Sequence, residues 1–262
     1  MGDWLTEPFE RYSTFLQETN WVLHLSKKGI TQISRQMPLL EALDKLEKIR
    51  ATADNLVRNP KNFEAQQKET NIAKQEIDKD FPLLHAHALV SVWSALEALF
   101  EDVIVAHIIN TPFILKHEAF QKIKIPLATY EQLTQEDKAR WLVYEFQRTL
   151  SSQQRSGIDC FEELLKIVGL AGKTSKRIRR DVYEIQQLRH TIVHRASLAD
   201  RKLIEACSWL KLKSGDRVTI SNKRYSKLLG SAQKYVTLVI KRATAVKLEK
   251  RKQVNKIALA AT

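Results

Sequence analysis

Asp181-Val-Tyr-Glu-Ile-Gln-Gln-Leu-Arg-His-Thr-Ile-Val-His-Arg195 is the segment from which the interpretation of this chain starts. Its apolar residues recur at steps of three and four, which predicts an α-helix with one buried face: Val182, Ile185, Leu188, Ile192 and Val193. Arg189 and His194 are its candidate chemical groups, and His190 directly follows the arginine. Arginine is a permanently charged forked donor and histidine titrates near neutral pH, so the combination suits phosphodiester cleavage.

The spacing of Arg189 and His194 restricts how the two side chains can meet. On an ideal helix, five residues turn the direction by about 500°, so the two point about 140° apart with a rise of roughly 7.5 Å. They cannot both contact one phosphate from an undistorted helix. Either the helix ends near His194, or residues of two chains combine across a two-fold axis. His190 and His194, four positions apart, share a face.

Residues 188–195 resemble the signature of the HEPN superfamily, an arginine followed after four to six residues by a histidine, and residues 93–102 resemble an earlier core helix of such domains. The resemblance implies an all-α fold, an antiparallel helical bundle of HEPN type, over residues 81–245. It also implies a homodimer in which two signatures form one composite site. The implied activity is that of a metal-independent endoribonuclease without a cofactor, whose catalytic residues are Arg189, His194 and His190.

The resemblance also implies a mechanism and a cellular setting. His194 acts as general base on the ribose 2′-hydroxyl, and a second histidine, either His194 of the partner subunit or His190, protonates the leaving 5′-oxygen. Arg189 stabilises the charge of the transition state. Such enzymes include toxins and anti-phage effectors that an antitoxin or another defence-system partner protein restrains. The alternative function is of another class, a non-catalytic helical dimer module that binds RNA or a partner protein.

Composition agrees with a helical, nucleic-acid-binding protein. The 262 residues include only seven glycines and six prolines, which favours helices throughout. The formal net charge of +13 predicts a polyanionic partner, and the alternative is a basic surface that only confers solubility. Cys160 and Cys207 form no C-x-x-C pair, so neither a disulfide framework nor a zinc site is expected. Residues 1–6 lack the features of a signal peptide, and a cytoplasmic location is predicted.

Basic residues cluster around the start of the signature helix, and one more follows its end. Cations are mildly unfavourable at a helix N-terminus, so this placement indicates another purpose, contact with the phosphates of RNA. A solvated helix start is the alternative. The predicted RNA-binding residues are Lys173, Lys176, Arg177, Arg179, Arg180 and Arg195.

Two other binding motifs are considered and rejected. Gly169-Leu-Ala-Gly-Lys-Thr174 has two residues between its glycines, where a phosphate-binding P-loop has four, and it follows a predicted helix rather than a strand. It predicts a helix end at Gly169 and a capped restart at Thr174 or Ser175. The histidines at 190 and 194 have a zinc-compatible spacing, but Thr191 occupies the glutamate position of the metalloprotease motif. No metal is predicted, and a buried structural histidine pair remains an alternative.

The most hydrophobic segment runs from Pro82 to Asn110 and predicts a central core helix. Its length would also fit a membrane span, but three acidic residues inside the window, Glu97, Glu101 and Asp102, argue against one. Polar and small residues form a stripe that either faces the signature helix, lines a dimer seam or is solvated: His87, Ser91, Ser94, Ala98 and Glu101, with Glu97 at the edge. A direct chemical role for Glu97 or Glu101 is a further hypothesis.

The remaining pattern predicts helices with turns between them. One helix should run from Pro8 to Lys27 and end at Gly29, and Asn59-Pro-Lys-Asn62 should form a turn. Further helices are predicted at about 31–56, 63–79, 113–122, 134–150, from 159 or 160 onwards, at 196–209, and from 221 or 222 onwards, with a short extended piece at 217–220. We predict three regions: an N-terminal helical extension (1–80), the HEPN-like domain (81–245) and a basic C-terminal tail (246–262).

Overall fold

The computed structural model describes residues 4–35, 42, 45–46, 60–121, 123–151 and 156–260. These residues are mainly helical, and none of them forms a strand; a single antiparallel bridge joins Leu198 and Arg217. The prediction of an all-α fold is confirmed for this part of the chain. At the predicted extended piece, 217–220, Arg217 forms this bridge and no strand is assigned.

The helices are numbered in chain order. They are α1 (Thr6–Arg35), α2 (Pro60–Asp78), α3 (Pro82–Asn110), α4 (Glu118–Gln121), α5 (Leu127–Glu131), α6 (Gln135–Ser151), α7 (Ile158–Ile167), α8 (Lys176–His194), α9 (Arg201–Ala206) and α10 (Asn222–Ala260). Short 3-10 helices lie at Pro112–Lys116 and Ser208–Leu210.

Helix α3 begins and ends where the sequence predicts. Proline is tolerated in a first helical turn, and Asn110-Thr-Pro112 stops the helix because proline cannot continue it. Leu89, Leu96 and Ile104 of α3 are fully buried, as expected of a core helix. Within the described residues, no helix has the length and apolar character that a membrane span requires.

Two predicted boundaries near the N-terminus are wrong. Helix α1 continues through Gly29 to Arg35, because an internal glycine costs only about 1 kcal/mol and Gly29 has no left-handed backbone that would end the helix. Helix α2 begins at Pro60, so Pro60-Lys-Asn62 is helical rather than a turn; proline suits a first helical position. Of the helix predicted at 31–56, residues 31–35 belong to α1, and Pro38 lies outside the described residues.

The chain divides into two compact units. Unit 1 contains residues 1–16, 89–218 and 226–262, and unit 2 contains residues 17–88 and 219–225. These units do not test the predicted division into an N-terminal extension, a HEPN-like domain and a C-terminal tail, which stays a prediction.

An aromatic cluster forms the centre of unit 1. The Phe100 ring lies 4.6 Å from that of Phe161 and 5.4 Å from that of Tyr235, centroid to centroid. These rings come from α3, α7 and α10. Ile185 and Leu188 of α8 are also fully buried. Burying side chains of this size contributes roughly 1.5–3 kcal/mol each, so this core fixes α8 firmly in unit 1.

A buried histidine lies at the centre of unit 2. His85 is fully buried; its Nδ1 is 3.2 Å from the Ile220 carbonyl oxygen, and its ring stacks on that of Tyr225 at 5.5 Å. Its Nε2 is buried without a hydrogen-bond partner among the described residues. Burial, and secondarily the charge of Lys27, lowers the pKa of His85.

Acidification from pH 7 towards pH 5 is expected to destabilise the protein through His85. The unfolded histidine titrates near 6.5 and the folded one at a lower pKa. Between these values the unfolded state binds one proton more than the folded state. The free energy of unfolding therefore decreases as the pH is lowered, by up to about 1.4 kcal/mol per pH unit. Urea unfolding at several pH values measures this effect. The free energy of unfolding should vary less with pH in His85→Phe, which retains a stacking ring, than in the wild type. An equal slope in both proteins would contradict this assignment.

Candidate active site

Helix α8 positions the signature residues, and its boundaries follow from local sequence. The preceding helix α7 ends at Ile167, and Gly169 has a positive φ of 70°. The Ser175 hydroxyl then caps α8 by accepting a hydrogen bond from the Ile178 N–H at 3.4 Å. The predicted helix end and capped restart are thus confirmed.

The apolar face of α8 is buried everywhere except in the last turn. Val182, Ile185 and Leu188 are fully buried, as predicted, whereas Ile192 is half-buried and Val193 is 49% exposed. The core therefore holds the body of the helix and leaves its C-terminal turn, which carries His194, at the surface.

A tight turn ends α8 directly after His194. The backbone N–H groups of Arg195 and Ser197 both donate to the Thr191 carbonyl, at 3.0 and 3.2 Å. Ala196 and Ser197 have positive φ values of 49° and 63°, a conformation that non-glycine residues rarely adopt. Such conformations persist only where surrounding contacts enforce them.

Those contacts come from residues 215–218. The Val218 N–H donates to the Ser197 carbonyl at 2.7 Å, and the Ala199 N–H donates to the Asp216 carbonyl at 2.8 Å. The Gly215 N–H in turn donates to the Ala199 carbonyl at 2.9 Å. The backbone that follows His194 is therefore held at Ser197 and Ala199 by residues 215–218.

Arg189 and His194 meet within one chain. A guanidinium nitrogen of Arg189 is 3.4 Å from His194 Nε2, although ideal helical positions point the side chains apart. The contact lies in the last turn of α8, which ends at His194, in agreement with the first of the two solutions that the spacing allows. Arginine only donates, so a hydrogen bond between these two groups has Nε2 as its acceptor. The Arg189 Nε is buried without a partner among the described residues.

His190 completes a cluster of three nitrogen-bearing side chains. Its ring centroid lies 4.9 Å from that of His194, and the rings are tilted by 49°. Burial lowers the pKa of His190, and the charge of Lys202 lowers it further, while Asp200 has the opposite effect. The lowered pKa favours the neutral form of the His190 imidazole at pH 7.

Within the described residues, no three His, Cys, Asp or Glu side chains converge in a way that would hold a metal ion. His190 and His194 accordingly have no third ligand of these types there.

Glu97 of α3 is electrostatically coupled to Arg189. Desolvation by the surrounding protein raises the pKa of the Glu97 carboxyl, even though the side chain reaches the surface. A hydrogen bond from the Trp93 indole and the charge of Arg189 act in the opposite direction. Glu101, by contrast, pairs with Arg140 at 3.4 Å. Glu97 is thus coupled to Arg189, and Glu101 is ion-paired with Arg140.

The predicted RNA-binding residues differ in their surroundings. Arg179 pairs with Asp159, and Arg195 lies 3.4 Å from Asp200. The others are exposed at or before the start of α8: Lys173, Lys176, Arg177 and Arg180. Arg180 contacts the face of Trp209, its guanidinium carbon 5.6 Å from the ring centroid. The structure brings Arg189, His190 and His194 together at the end of α8. The basic residues from Lys173 to Arg180 lie before or in the first turns of the same helix.

Sequence reasoning missed two residues near these groups. Asp200 caps α9 by accepting from the Leu203 N–H at 2.9 Å, and that hydrogen bond, together with the charges of Arg195 and His190, lowers its pKa. An aspartate that begins a predicted helix was a usable signal for the cap but not for the proximity to His190. Trp209 lies in a 3-10 turn, and no periodicity marked it.

Comparisons with known proteins return no match, whether the chain is scanned against protein-family models or searched against curated proteins and solved structures. A functional assignment therefore depends on the geometry of these residues and on the resemblance of residues 188–195 to the HEPN signature.

Proposed function

We propose that this protein is a metal-independent endoribonuclease of HEPN type that cleaves RNA with Arg189, His194 and His190 in a composite dimeric site. The observation that supports it most strongly is the 3.4 Å contact between a guanidinium nitrogen of Arg189 and Nε2 of His194. An arginine in contact with a histidine supplies both the cation and the base that 2′-hydroxyl attack needs.

The proposed reaction proceeds through transfer of two protons. His194 Nε2 takes the proton of the 2′-hydroxyl as the O2′–P bond forms. A second histidine gives a proton to the 5′-oxygen as the P–O5′ bond breaks. Arg189 leaves His194 to pair with the phosphate, because a charged oxygen is a stronger acceptor than an imidazole nitrogen. The products are a 2′,3′-cyclic phosphate and a 5′-hydroxyl.

The second histidine is His194 of the partner subunit or His190. The lowered pKa of His190 makes it a poorer reservoir of protons at neutral pH, which favours the partner subunit's His194. Exposed apolar side chains beside the site, Val193 at 49% and Leu198 at 47%, are suited to coverage by a second copy. Glu97 would orient the Arg189 guanidinium through their opposite charges.

The test is incubation of the purified protein with end-labelled single-stranded RNA in EDTA. We expect cleavage whose products carry cyclic phosphate and 5′-hydroxyl ends. Retention of RNA without any cleavage would instead support a non-catalytic binding module. A role as a toxin or anti-phage effector restrained by a partner protein is part of the same proposal and would appear as growth arrest on expression.

A mixing experiment tests the composite site. Wild-type and His194→Ala chains are combined at constant total concentration and allowed to exchange subunits. If each centre needs His194 from both chains, activity follows the square of the wild-type fraction, about one quarter at equal mixture, since only symmetric wild-type pairs are active. A self-sufficient chain would give about one half, and that linear result would contradict the composite site.

A further inference from the structure

A cleft of about 300 Å³ lies beside the first half of α8, within unit 1. Its walls come from the start of α7, from α8, and from the 3-10 turn after α9. The lining combines cations, aromatic rings and apolar surface: Ile158, Asp159, Arg179, Arg180, Tyr183 and Trp209. Ligand pockets typically have this volume or more and combine apolar walls with a few placed polar groups.

The aromatic wall is held in place by buried partners. The Trp209 indole N–H donates to Glu184 at 2.6 Å, and Glu184 is only 1% exposed. Trp209 itself remains 38% exposed, so part of its ring surface is accessible. Gly157 has a positive φ of 60° and packs against Tyr183, where a Cβ would approach to 3.1 Å. Its N–H donates to Gln186 at 2.7 Å, which fixes this second wall.

The two arginines of the cleft differ in their partners. Arg179 is ion-paired with Asp159. Arg180 lies 3.8 Å from an Asp181 oxygen, beyond hydrogen-bonding distance, and that carboxylate is already 2.9 Å from Lys227. The Arg180 guanidinium thus retains donors for an anionic ligand while it lies over the Trp209 ring. A guanidinium suits phosphate oxygens because its donors form a planar fork.

We propose that this cleft binds one nucleotide, with its phosphate at Arg180 and its base against the rings of Trp209 and Tyr183. Aromatic side chains bind bases of any identity by stacking, and arginine adds charge and planarity. The ligand is either a free mononucleotide or one nucleotide of an RNA strand.

The direction of α8 connects the cleft to the candidate active site. His190 is seven positions after Tyr183, which corresponds to a rotation of about 700° around the helix axis. Both residues therefore lie on nearly the same face, about 10 Å apart. An RNA strand with one nucleotide in the cleft would continue along this face towards His190 and His194. This arm of the proposal rests on the proposed endoribonuclease function, whereas binding of a mononucleotide does not.

Binding is tested in the cleavage-deficient His194→Ala background, so that RNA turnover does not interfere. Fluorescence polarisation measures the affinity for a labelled single-stranded RNA hexamer, and calorimetry measures that for AMP. Arg180→Ala should weaken ligand binding by at least about tenfold, because both the phosphate contact and the stacked guanidinium are lost. Arg180→Lys retains the charge without the fork and should lie between. Trp209→Leu tests the base contact, with circular dichroism to verify folding.

Arg35→Ala is the matched control, since it removes the same charge from an exposed position of α1 that does not line the cleft. Loss of RNA affinity in Arg180→Ala, with competition by AMP, would assign the cleft to a nucleotide of the RNA. Loss of AMP affinity alone, with RNA binding unchanged, would assign it to a free nucleotide. Equal effects of Arg35→Ala and Arg180→Ala on both ligands, or no effect of Arg180→Ala on either ligand, would overturn the proposal. Absence of RNA cleavage would leave the AMP measurement unaffected.

Discussion

Replacing Arg189 or His194 with alanine is expected to lower the RNA cleavage rate by two to four orders of magnitude while the protein stays folded. Loss of a positioned general base typically costs about 10²–10⁴ in rate, and loss of one transition-state donor costs about 10²–10³. His194 is exposed and Arg189 half-buried, so neither truncation opens a cavity in the core. Single-turnover cleavage of labelled RNA in EDTA measures the rates.

The effects of Arg189→Ala and His194→Ala on the cleavage rate should also be non-additive. Because the guanidinium contacts the imidazole directly, the double variant should lose little beyond either single one. His190→Ala separates the two assignments of the acid: a loss equal to that of His194→Ala indicates His190, and a small loss indicates the partner subunit's His194. Exposed residues of α1 supply controls for the same chemical changes, His24→Ala and Arg35→Ala. Undiminished cleavage in both signature variants would place the active site elsewhere.

The parts of the fold that sequence predicted are those that local rules determine. Helix α3 has a long apolar pattern between two prolines, and its ends were predicted correctly. A cap of α8 at Thr174 or Ser175 was also predicted, because a short hydroxyl side chain directly before a periodic apolar segment satisfies free N–H groups, and Ser175 is the cap. Both signals lie within a few residues and need no knowledge of the rest of the chain.

The parts that sequence could not predict depend on contacts between distant segments. The Arg189–His194 contact lies at the end of α8, where two left-handed residues held by the 215–218 segment follow the helix. Neither Ala196 nor Ser197 is a residue type that indicates such a conformation. Coupling of Arg189 to Glu97 depends on how α3 and α8 pack in unit 1, which the stripe on α3 indicated without identifying the partner residue.

The connection that leads into α8 is anchored by a buried ion pair, Glu162 with Arg242, which the sequence did not identify. Glu162 of α7 is only 7% exposed and accepts hydrogen bonds from the Tyr235 hydroxyl at 3.1 Å and the Gly172 N–H at 2.7 Å. The Arg242 guanidinium of α10 lies 2.9 Å from the same carboxylate and also donates to the Lys173 carbonyl at 2.9 Å. This pair holds the residues that precede the signature helix against α10.

Glycine at position 172 belongs to the same arrangement. A Cβ there would lie 2.8 Å from the Arg242 Nε, so a larger residue would displace the guanidinium. The two glycines of residues 169–174, the segment with a superficial likeness to a P-loop, therefore have structural roles. Gly169 adopts a left-handed backbone conformation, and Gly172 leaves room for Arg242.

Replacing Glu162 with glutamine is expected to destabilise unit 1 by about 3 kcal/mol or more, the second large effect that the structure predicts. Removal of one partner of a buried ion pair typically costs about 3–5 kcal/mol, because the remaining charge stays buried without compensation. Arg242→Met should cost a similar amount for the same reason. Urea unfolding followed by circular dichroism gives the free energies, and the midpoint should fall with little change in slope.

The double variant decides whether charge pairing is the cause. Glu162→Gln combined with Arg242→Met removes both charges, so its cost should be clearly smaller than the sum of the single costs. Glu205→Gln is the matched control, since Glu205 pairs with Arg201 at the surface, where ion pairs contribute about 0–1 kcal/mol. Additive losses, or a loss in Glu162→Gln no larger than in the control, would show that the pair does not anchor the connection. Destabilisation would also loosen the start of α8, so RNA affinity should fall in the single variants and recover in part in the double one.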